Sequence, residues 1–136
     1  MWLYQGKEFT SDQVHNYKGF VYVLTDNINN KKYIGQKRFW KKITRPPLKG
    51  KKRKRRSLAE SDWQNYYGSN EKIKLLVEAE GLSRFSREIL HLCNSTGEMN
   101  YLEAKEQFDR SVLLSEEYYN GIIQTRIHAS HVKSLK

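Results

Sequence analysis

The fold is decided by residues 22–35, YVLTDNINNKKYIG, and by the apolar residues just before them. Residues 20–24 are aromatic, β-branched or aliphatic, which favours a strand, whereas the aspartate and three asparagines between 26 and 30 favour bends and left-handed backbone angles. Residues 32–35 then return as a second strand. We therefore predict a β-hairpin with one tyrosine on each arm, Tyr22 and Tyr33, a frame that can hold two hydroxyl groups close together.

A strongly basic segment begins beside this hairpin. Residues 31–56 contain 14 lysines and arginines and no acid, whereas the rest of the chain carries 11 basic and 15 acidic residues, within a formal net charge of +10. Such a segment is the electrostatic footprint expected for a polyphosphate partner. Two other interpretations stay open, because the run KKRKRR at 51–56 is also typical of a disordered solubilising loop or a nuclear import signal.

Length and composition limit the class of protein. A chain of 136 residues predicts a single domain, residues 1–136, with a modest core and a basic loop insertion at about 43–56. The single cysteine, Cys93, excludes an internal disulfide and a cysteine-only zinc site, which favours a reducing compartment. No apolar run approaches the ~20 residues that span a bilayer, and the N-terminus lacks the order of a secretion signal. We expect a soluble cytoplasmic protein that does not bind membranes.

The remaining elements follow from periodicity and capping signals. Asn70 and Gly81 bracket a helix, Glu71–Glu80, and Phe85–Cys93 has the apolar content of a buried strand. A long helix with apolar stripes is predicted over residues 98–114. The sequence also predicts a short hairpin over 2–9, an exposed loop at 49–56, and a helix over 57–68 that carries Trp63, Tyr66 and Tyr67 on one face.

Two tripeptides in the predicted hairpin resemble those that name the GIY-YIG nuclease family. Tyr33-Ile34-Gly35 matches the second tripeptide, and Phe20-Val21-Tyr22 stands in the place of the first, with its glycine displaced to Gly19. With the basic insertion and the stretch WQNYYGSN at 63–70, the chain is most similar to the small freestanding phage endonucleases of the Seg type. The resemblance covers about residues 19–120. It implies an α+β fold with a small three-stranded antiparallel sheet flanked by helices.

The resemblance also implies a metal-dependent DNA endonuclease that hydrolyses phosphodiester bonds, and some relatives of this kind are homing enzymes. A divalent metal ion would assist that chemistry, and oxygen ligands suit Mg²⁺ or Mn²⁺. In the family, a glutamate on the helix after the third strand holds the metal. Glu103 is the first choice for this ligand and Glu106 the second. Periodicity does not decide between them, and either one could instead be a solvated surface glutamate.

The two tyrosines have roles that are implied in the same way. Tyr22 is the candidate general base, with a phenol acidified by nearby cations, of which Lys37 is the nearest in sequence. Tyr33 would order water or phosphate. The alternative interpretation is a pair of core tyrosines in an ordinary hairpin.

Two further family residues contact phosphate or position the substrate. Arg38 is the first choice for the arginine, with Arg45 second, since a guanidinium presents a fork to two phosphate oxygens. Asn120, in a Tyr-Asn context, is the candidate for the terminal asparagine, although Asn120-Gly121 is also an ordinary turn dipeptide.

The expected partner is double-stranded DNA, in the host cytoplasm if the protein is phage-encoded. One active centre per chain makes a nick the simplest product, whereas a double-strand break would need two chains, as in a homo-oligomer, or two encounters. The other hypothesis is a noncatalytic DNA- or RNA-binding protein that uses only the basic loop. The residues predicted to bind nucleic acid are Lys41, Lys42, Arg45, Lys49, Lys51, Lys52, Arg53, Lys54, Arg55 and Arg56.

Overall fold

The computed structural model describes residues 1–53 and 55–135, without the side chains of Arg55 and Arg56. Within this part of the chain there are seven strands and two α-helices, with four short 3-10 segments. In chain order they are β1 (Trp2–Tyr4), β2 (Lys7–Phe9), β3 (Gly19–Asp26), β4 (Lys32–Arg38), β5 (Trp40–Arg45), β6 (Arg55–Glu60), α1 (Glu71–Glu80), β7 (Phe85–Cys93) and α2 (Thr96–Asp109), and the 3-10 segments are Ser11–Gln13, Trp63–Asn65, Leu82–Arg84 and Ala129–Leu135.

A mixed sheet in the order β2-β1-β7-β3-β4 forms the centre of the fold. β1 runs parallel to β7, and the other neighbours are antiparallel. The α+β class is confirmed, but the predicted three-stranded sheet is too small, since the described residues form five strands in it. The N-terminal hairpin joins the sheet because its Trp2 and Phe9 are buried in the aromatic core on one face.

β3 is buried on both faces. Phe20, Tyr22 and Leu24 lie in an aromatic cluster on one side, whereas Val21 and Val23 lie in an aliphatic cluster on the other. A near-continuous apolar strand is what such burial requires, since successive side chains point to opposite faces. The aromatic cluster also contains Trp2, Phe9, Phe39, Trp63 and Ile73, and the aliphatic cluster contains Ile34, Cys93, Met99 and Val112.

The predicted central hairpin is confirmed. Tyr22 pairs with Gly35 and Leu24 pairs with Tyr33, so both tyrosines and the glycine share one face of the sheet. The pairing of β3 with β7 shifts register just before Tyr22 and leaves Leu90 as the extra residue of a β-bulge. Bulges re-aim neighbouring side chains, and this one lies beside Tyr22.

Gly19 lets α2 pack closely on the sheet. A Cβ atom at this position would lie 2.6 Å from the backbone oxygen of Lys37 and 3.1 Å from Cε of Met99. Real Cβ atoms do not approach a backbone oxygen so closely, so any side chain would force β4 or α2 away. The displaced glycine of the first tripeptide therefore has a packing role at the start of β3.

β5 and β6 form a separate two-stranded antiparallel ribbon that follows β4 directly, with Trp40 opposite Glu60 at its base. The predicted helix over 57–68 is wrong, because its first four residues belong to strand β6 and only Trp63–Asn65 forms a 3-10 turn. Ser57 and Glu60 have the spacing of a helix capping box, but the Glu60 Oε1 instead accepts hydrogen bonds from Trp63 Nε1 at 2.7 Å and from Ser11 Oγ at 2.6 Å. The predicted basic loop over 43–56 is partly strand, and its Lys54 lies outside the described residues.

Both of the other predicted helices are present, and only the second has different ends. α1 has the predicted bounds, and the Asn70 side chain accepts a hydrogen bond from the Ile73 N–H at 3.2 Å. α2 runs from Thr96 to Asp109 and not from 98 to 114, and one predicted apolar stripe is wrong in part, since its Phe108 is exposed while the polar Gln107 is buried. No helix in the described part of the chain is long and apolar enough to cross a membrane.

A buried ion cluster fastens the end of β3 to two distant segments. The fully buried Asp26 carboxylate accepts hydrogen bonds from Arg84 at 2.9 and 2.8 Å and from the Tyr119 hydroxyl at 2.6 Å. The Ile28 N–H donates a further bond at 3.0 Å. Burial alone would raise the pKa of Asp26, but these donors lower it to about 2. The cluster ties the hairpin turn to the connection before β7 and to the C-terminal segment.

We predict that acid weakens this cluster. The folded-state pKa of Asp26, about 2, lies below its ordinary value of 3.8, so the carboxylate contributes stability above pH ~4 that is lost as the pH falls through 2. Linkage makes this contribution on the order of 2 kcal/mol at neutral pH. Asp26→Asn should lower the free energy of unfolding by about that amount at pH 7, and by less near pH 2, in urea denaturation.

Asp109→Asn is the matched control, because Asp109 forms an exposed pair with Lys105 and exposed pairs contribute little. If Asp26→Asn were as stable as this control at pH 7, the proposed role of the buried cluster would be wrong.

Candidate active site

A solvent-open cleft of about 280 Å³ lies beside β4, the last strand in the sheet order, where the sheet meets α2. It brings together three of the residues predicted from the sequence, namely Tyr22, Tyr33 and Glu103. Side chains from two strands, a loop, a helix and the C-terminal segment contribute to it. The lining residues are Tyr22, Tyr33, Gly35, Gln36, Ser69, Glu103, Gln107, Ile122 and Gln124.

Tyr22 occupies the inner wall of the cleft. Its ring lies across Gly35 on the paired strand, so that a Cβ atom at residue 35 would be 2.6 Å from the Tyr22 Cζ atom. The ring centroid of Tyr33 is 6.4 Å away. Tyr22 is only 1% exposed, whereas Tyr33 is half-buried, with its hydroxyl 3.5 Å from Ser69 Oγ. Tyr33 therefore presents the more accessible phenol.

Glu103 reaches the cleft because of its place on α2. Met99 and Gln107, one turn to either side of it, are buried against the sheet, and Gln107 Nε2 donates to the Ile34 carbonyl at 3.3 Å. Glu103 is itself half-buried, and burial raises the pKa of its carboxyl to about 7. Within the residues that the structure describes, its carboxylate has no hydrogen-bond or ion-pair partner. This is a desolvated acid without a compensating cation.

Glu106 is engaged elsewhere. His91 Nε2 lies 2.8 Å from one of its carboxylate oxygens, and Arg110 Nε donates to the other at 2.9 Å. Burial acts to raise the pKa of Glu106, but these two partners lower it overall. The geometry therefore separates the two candidate glutamates: Glu103 faces the tyrosines, and Glu106 holds α2 to β7.

The cations do not acidify the tyrosines. Burial is the main cause that raises the pKa of Tyr22 well above 10.0, with further contributions from Tyr66 and Tyr33, and burial also raises the pKa of Tyr33. Lys37 instead forms an ion pair with Asp62 at 2.7 Å, and its ammonium lies 4.3 Å from the ring centroid of Tyr66. The prediction of an acidified Tyr22 phenol is wrong, because desolvation disfavours the phenolate.

The remaining predicted residues lie outside the cleft. Arg38 is exposed at the end of β4 and lines a neighbouring groove, and Arg45 is exposed at the far end of β5. Asn120 is buried, and its amide pairs with the backbone of Ile34: Oδ1 accepts from the N–H at 3.0 Å and Nδ2 donates to the carbonyl at 2.9 Å. Lys37 also lines the neighbouring groove. Among the described residues, no lysine or arginine lines the cleft itself.

Sequence reasoning missed the loop that closes the cleft from the aromatic side. Tyr66 packs edge-on against Tyr22, with ring centroids 6.0 Å apart. Gly68 has a φ of +87°, and a Cβ there would lie 3.1 Å from Leu24 Cδ1 and 3.5 Å from the Tyr22 hydroxyl. The signal lies in the Tyr-Tyr-Gly-Ser stretch, where the spacing of the aromatic residues instead predicts a helix. Gly68 lets the loop approach Tyr22 closely, in a conformation that other residues adopt at a cost.

Arg87, on β7, holds this loop in place through its backbone carbonyls. Its guanidinium donates to the carbonyls of Gln64 at 2.8 Å and Tyr66 at 3.0 Å, and it is stacked between two rings, 4.7 Å from Trp2 and 4.1 Å from Tyr67. Arg87 is only 5% exposed, so burial is the main cause that lowers its pKa. A buried cation thus joins the N-terminal hairpin to the loop beside Tyr22.

The donor set of the cleft fits a hard divalent cation that keeps much of its water. Among the described residues, no three His, Cys, Asp or Glu side chains come together, and Glu103 is the one carboxylate that lines the cleft. Mg²⁺ is commonly held by one or two carboxylates together with substrate phosphates and water. A cation beside Glu103 would also supply the charge that this desolvated carboxyl lacks.

Comparison with known proteins gives one family. Residues 2–123 match the family model described as "Putative endonuclease segE, GIY-YIG domain". The match spans every described strand, both α-helices and the residues Tyr22, Tyr33 and Glu103. No curated protein and no solved structure gives a significant match.

We predict that Tyr22 ionises late. Burial raises the pKa of Tyr22 well above 10.0. In an alkaline titration of the folded protein, the absorbance difference between wild type and Tyr22→Phe should therefore develop only well above pH 10. The same comparison in urea is the control, since the difference should then move to the ordinary tyrosine range. If Tyr22→Phe instead removed a phenol that titrates below pH 10 in the folded protein, Tyr22 would again be a candidate base of lowered pKa.

Proposed function

The chain belongs to the segE-type GIY-YIG endonuclease family, and we propose that it is a metal-dependent endonuclease that hydrolyses phosphodiester bonds of double-stranded DNA. The observation that carries this proposal is the meeting of Tyr22, Tyr33 and Glu103 in one open cleft. The tyrosines come from the two arms of one hairpin and Glu103 from a helix that is distant in sequence, and the cleft is open to a polymer substrate.

Glu103 would hold the metal ion, Mg²⁺ or Mn²⁺. When bound, such an ion compensates charge on the phosphate and makes its water more acidic. The chain's part is to present an ionised carboxylate at a fixed place. Met99 and Gln107 hold the helix turns on both sides of Glu103, so its position is set by buried neighbours and not by hydrogen bonds of its own.

The two phenols act as neutral hydroxyl groups. With raised pKa values, both keep their protons at neutral pH, and a neutral phenol can donate a hydrogen bond to a phosphate oxygen without repelling it. Tyr33 is half-buried and open to the cleft, so it is the donor we assign to the phosphate or to the attacking water. Tyr22 is almost fully buried and would position Tyr33 and the edge of the cleft. Neither is proposed as a base of lowered pKa.

Arg38 and the basic ribbon would hold the DNA outside the cleft. Arg38 is exposed at the end of the same strand that carries Tyr33, and the ribbon that follows bears Lys41, Lys42 and Arg45. Asn120 would act through Ile34, because its amide oxygen and nitrogen are both bonded to that backbone. With one cleft per chain, the simplest product is a nick.

We predict that Glu103→Gln loses nicking of supercoiled plasmid in Mg²⁺ by on the order of 100-fold or more, because it removes the carboxylate charge at nearly constant shape. Binding of Mn²⁺, followed by electron paramagnetic resonance, should weaken in the same variant. The matched control is Glu106→Gln, which should keep nicking and Mn²⁺ binding but lose stability, because His91 and Arg110 are then left without their carboxylate partner.

Other outcomes of this experiment discriminate between hypotheses. Loss of nicking and of Mn²⁺ binding in Glu106→Gln alone would move the metal site from Glu103 to Glu106. DNA binding by the wild-type protein without any nicking would favour a noncatalytic nucleic-acid-binding protein, an interpretation that the absence of cations from the described cleft lining makes worth testing.

We predict that the connection between β5 and β6 binds phosphates. Replacing the exposed Lys49, Lys51, Lys52 and Arg53 with Gln should flatten the dependence of log affinity on log salt by about 0.9 for each duplex phosphate that is no longer neutralised. Lys7→Gln with Lys74→Gln, on β2 and α1, is the control and should leave the slope unchanged. An unchanged slope in the first variant would make this segment a solubilising loop.

A further inference from the structure

A second, larger depression lies between the base of the ribbon and the N-terminus of α2. It has a volume of about 760 Å³ and is open to solvent. Five cations line it, and Asp62, itself paired with Lys37, is its one acid among the described residues. The cations are Lys18, Lys37, Arg38, Lys41 and Lys42. This groove is therefore a site of strong positive potential. One of its cations, Lys18, comes from outside the basic segment of the sequence.

The groove also has an apolar part that phosphate binding alone does not explain. Trp40 is half-buried in its wall, and its indole Nε1 donates to the Tyr17 carbonyl at 2.9 Å, which fixes the ring. Leu58, from the facing strand of the ribbon, is 58% exposed. An aromatic ring and an exposed leucine between lysines are the combination found where bases of an unpaired strand stack while the backbone follows the cations.

The groove continues the proposed active site. Gln36 lines both the cleft and the groove, and its Nε2 donates at 3.0 Å to Oδ1 of Asn100, which also lines the groove. The ribbon is fastened at this point, since Ser61 Oγ donates to the Arg38 carbonyl at 2.6 Å. A strand that leaves the cleft along β4 would therefore enter the groove directly.

We propose that this groove binds unpaired nucleotides next to the scissile phosphate, with a base stacked on Trp40 and phosphates at Lys18, Lys41 and Lys42. Bases of an intact duplex are stacked inside the helix and would leave Trp40 and Leu58 uncovered. The substrate class that uses the whole surface is DNA with an unpaired segment beside the cut. The direction of the strand toward the cleft rests on the proposed nuclease function; the binding itself does not.

The chain contains its own reporter for this interaction. Of its three tryptophans, all in the described residues, Trp2 and Trp63 are at most 2% exposed, and Trp40 lines the groove. A base stacked on Trp40 should quench its fluorescence, whereas the buried pair should not respond. The titration uses the Glu103→Gln protein without divalent metal, so that no strand is cut, and compares a single-stranded oligonucleotide with the duplex of the same sequence.

The expected result is quenching by the single strand and little quenching by the duplex. Trp40→Phe, which keeps a ring, should abolish the quenching and bind with nearly unchanged affinity by fluorescence anisotropy of labelled DNA. Trp40→Ala should bind the single strand about 5- to 100-fold more weakly. Lys18→Gln should reduce the single-strand salt slope by about 0.7, whereas the control Lys7→Gln, on β2, should not.

Three outcomes would overturn the proposal: equal quenching by duplex and single strand, quenching that survives in Trp40→Phe, or a Lys18→Gln slope equal to that of the control. Circular dichroism of each variant separates these outcomes from misfolding. Because nothing is cleaved in this assay, its failure and the failure of plasmid nicking are independent. If both binding and nicking hold, a duplex with an unpaired segment should be nicked faster than the matched intact duplex.

Discussion

The ring of Tyr22 lies across Gly35 on the neighbouring strand, and the geometry of the cleft depends on that close approach. β3 is buried on both faces, so neither the strand nor the ring can move without exposing core. From the other side, Gly68 brings the loop close to the same ring in a conformation that favours glycine. The phenol is thus held between two glycines. Tyr33 pairs with Leu24, two residues after Tyr22, so the same strand register sets its position. A site fixed by packing needs few hydrogen bonds of its own.

In the proposed function, the charges that would attract DNA lie apart from the groups that would surround the phosphate. The described cleft lining holds neutral phenols, amides and one desolvated carboxyl, whereas the cations lie in the groove and on the ribbon. Exposed charges still act over roughly 8–10 Å at ordinary ionic strength, so they can bring a polyphosphate to the cleft. They cannot lower the pKa of a buried phenol whose desolvation is the larger effect. The proposed function therefore assigns attraction and chemistry to two different surfaces, and Gln36 lines both of them.

Local sequence predicted the elements whose side chains and turns agree with their final environment. The central hairpin, α1 and β7 follow from apolar patterns, Asn and Gly caps and turn residues within a few positions. The failures are nonlocal. Ser57 and Glu60 have the spacing of a helix cap, but pairing with β5 makes that stretch a strand. The Glu60 carboxylate then accepts a hydrogen bond from the Trp63 indole. Periodicity could not choose between the two glutamates, because the buried face of α2 includes a polar residue, Gln107, whose partner is a backbone carbonyl 73 positions away.

The C-terminal segment completes the site by covering the edge of β4. An edge strand presents unpaired N–H and C=O groups, and next to a cleft these would attract water or another chain. Tyr118 of this segment pairs with Lys32 as a short backbone bridge. Two residues further along each chain segment, the Asn120 amide bonds both the N–H and the carbonyl of Ile34, as a neighbouring strand would. Ile34 lies between Tyr33 and Gly35, so fixing its backbone fixes both. An asparagine suits this position because its side chain carries one donor and one acceptor side by side, as a peptide does. Asn120 thus acts on the site through the strand that carries the second tripeptide. Replacing Asn120 would first displace the backbone of Ile34 and with it the side chain of Tyr33.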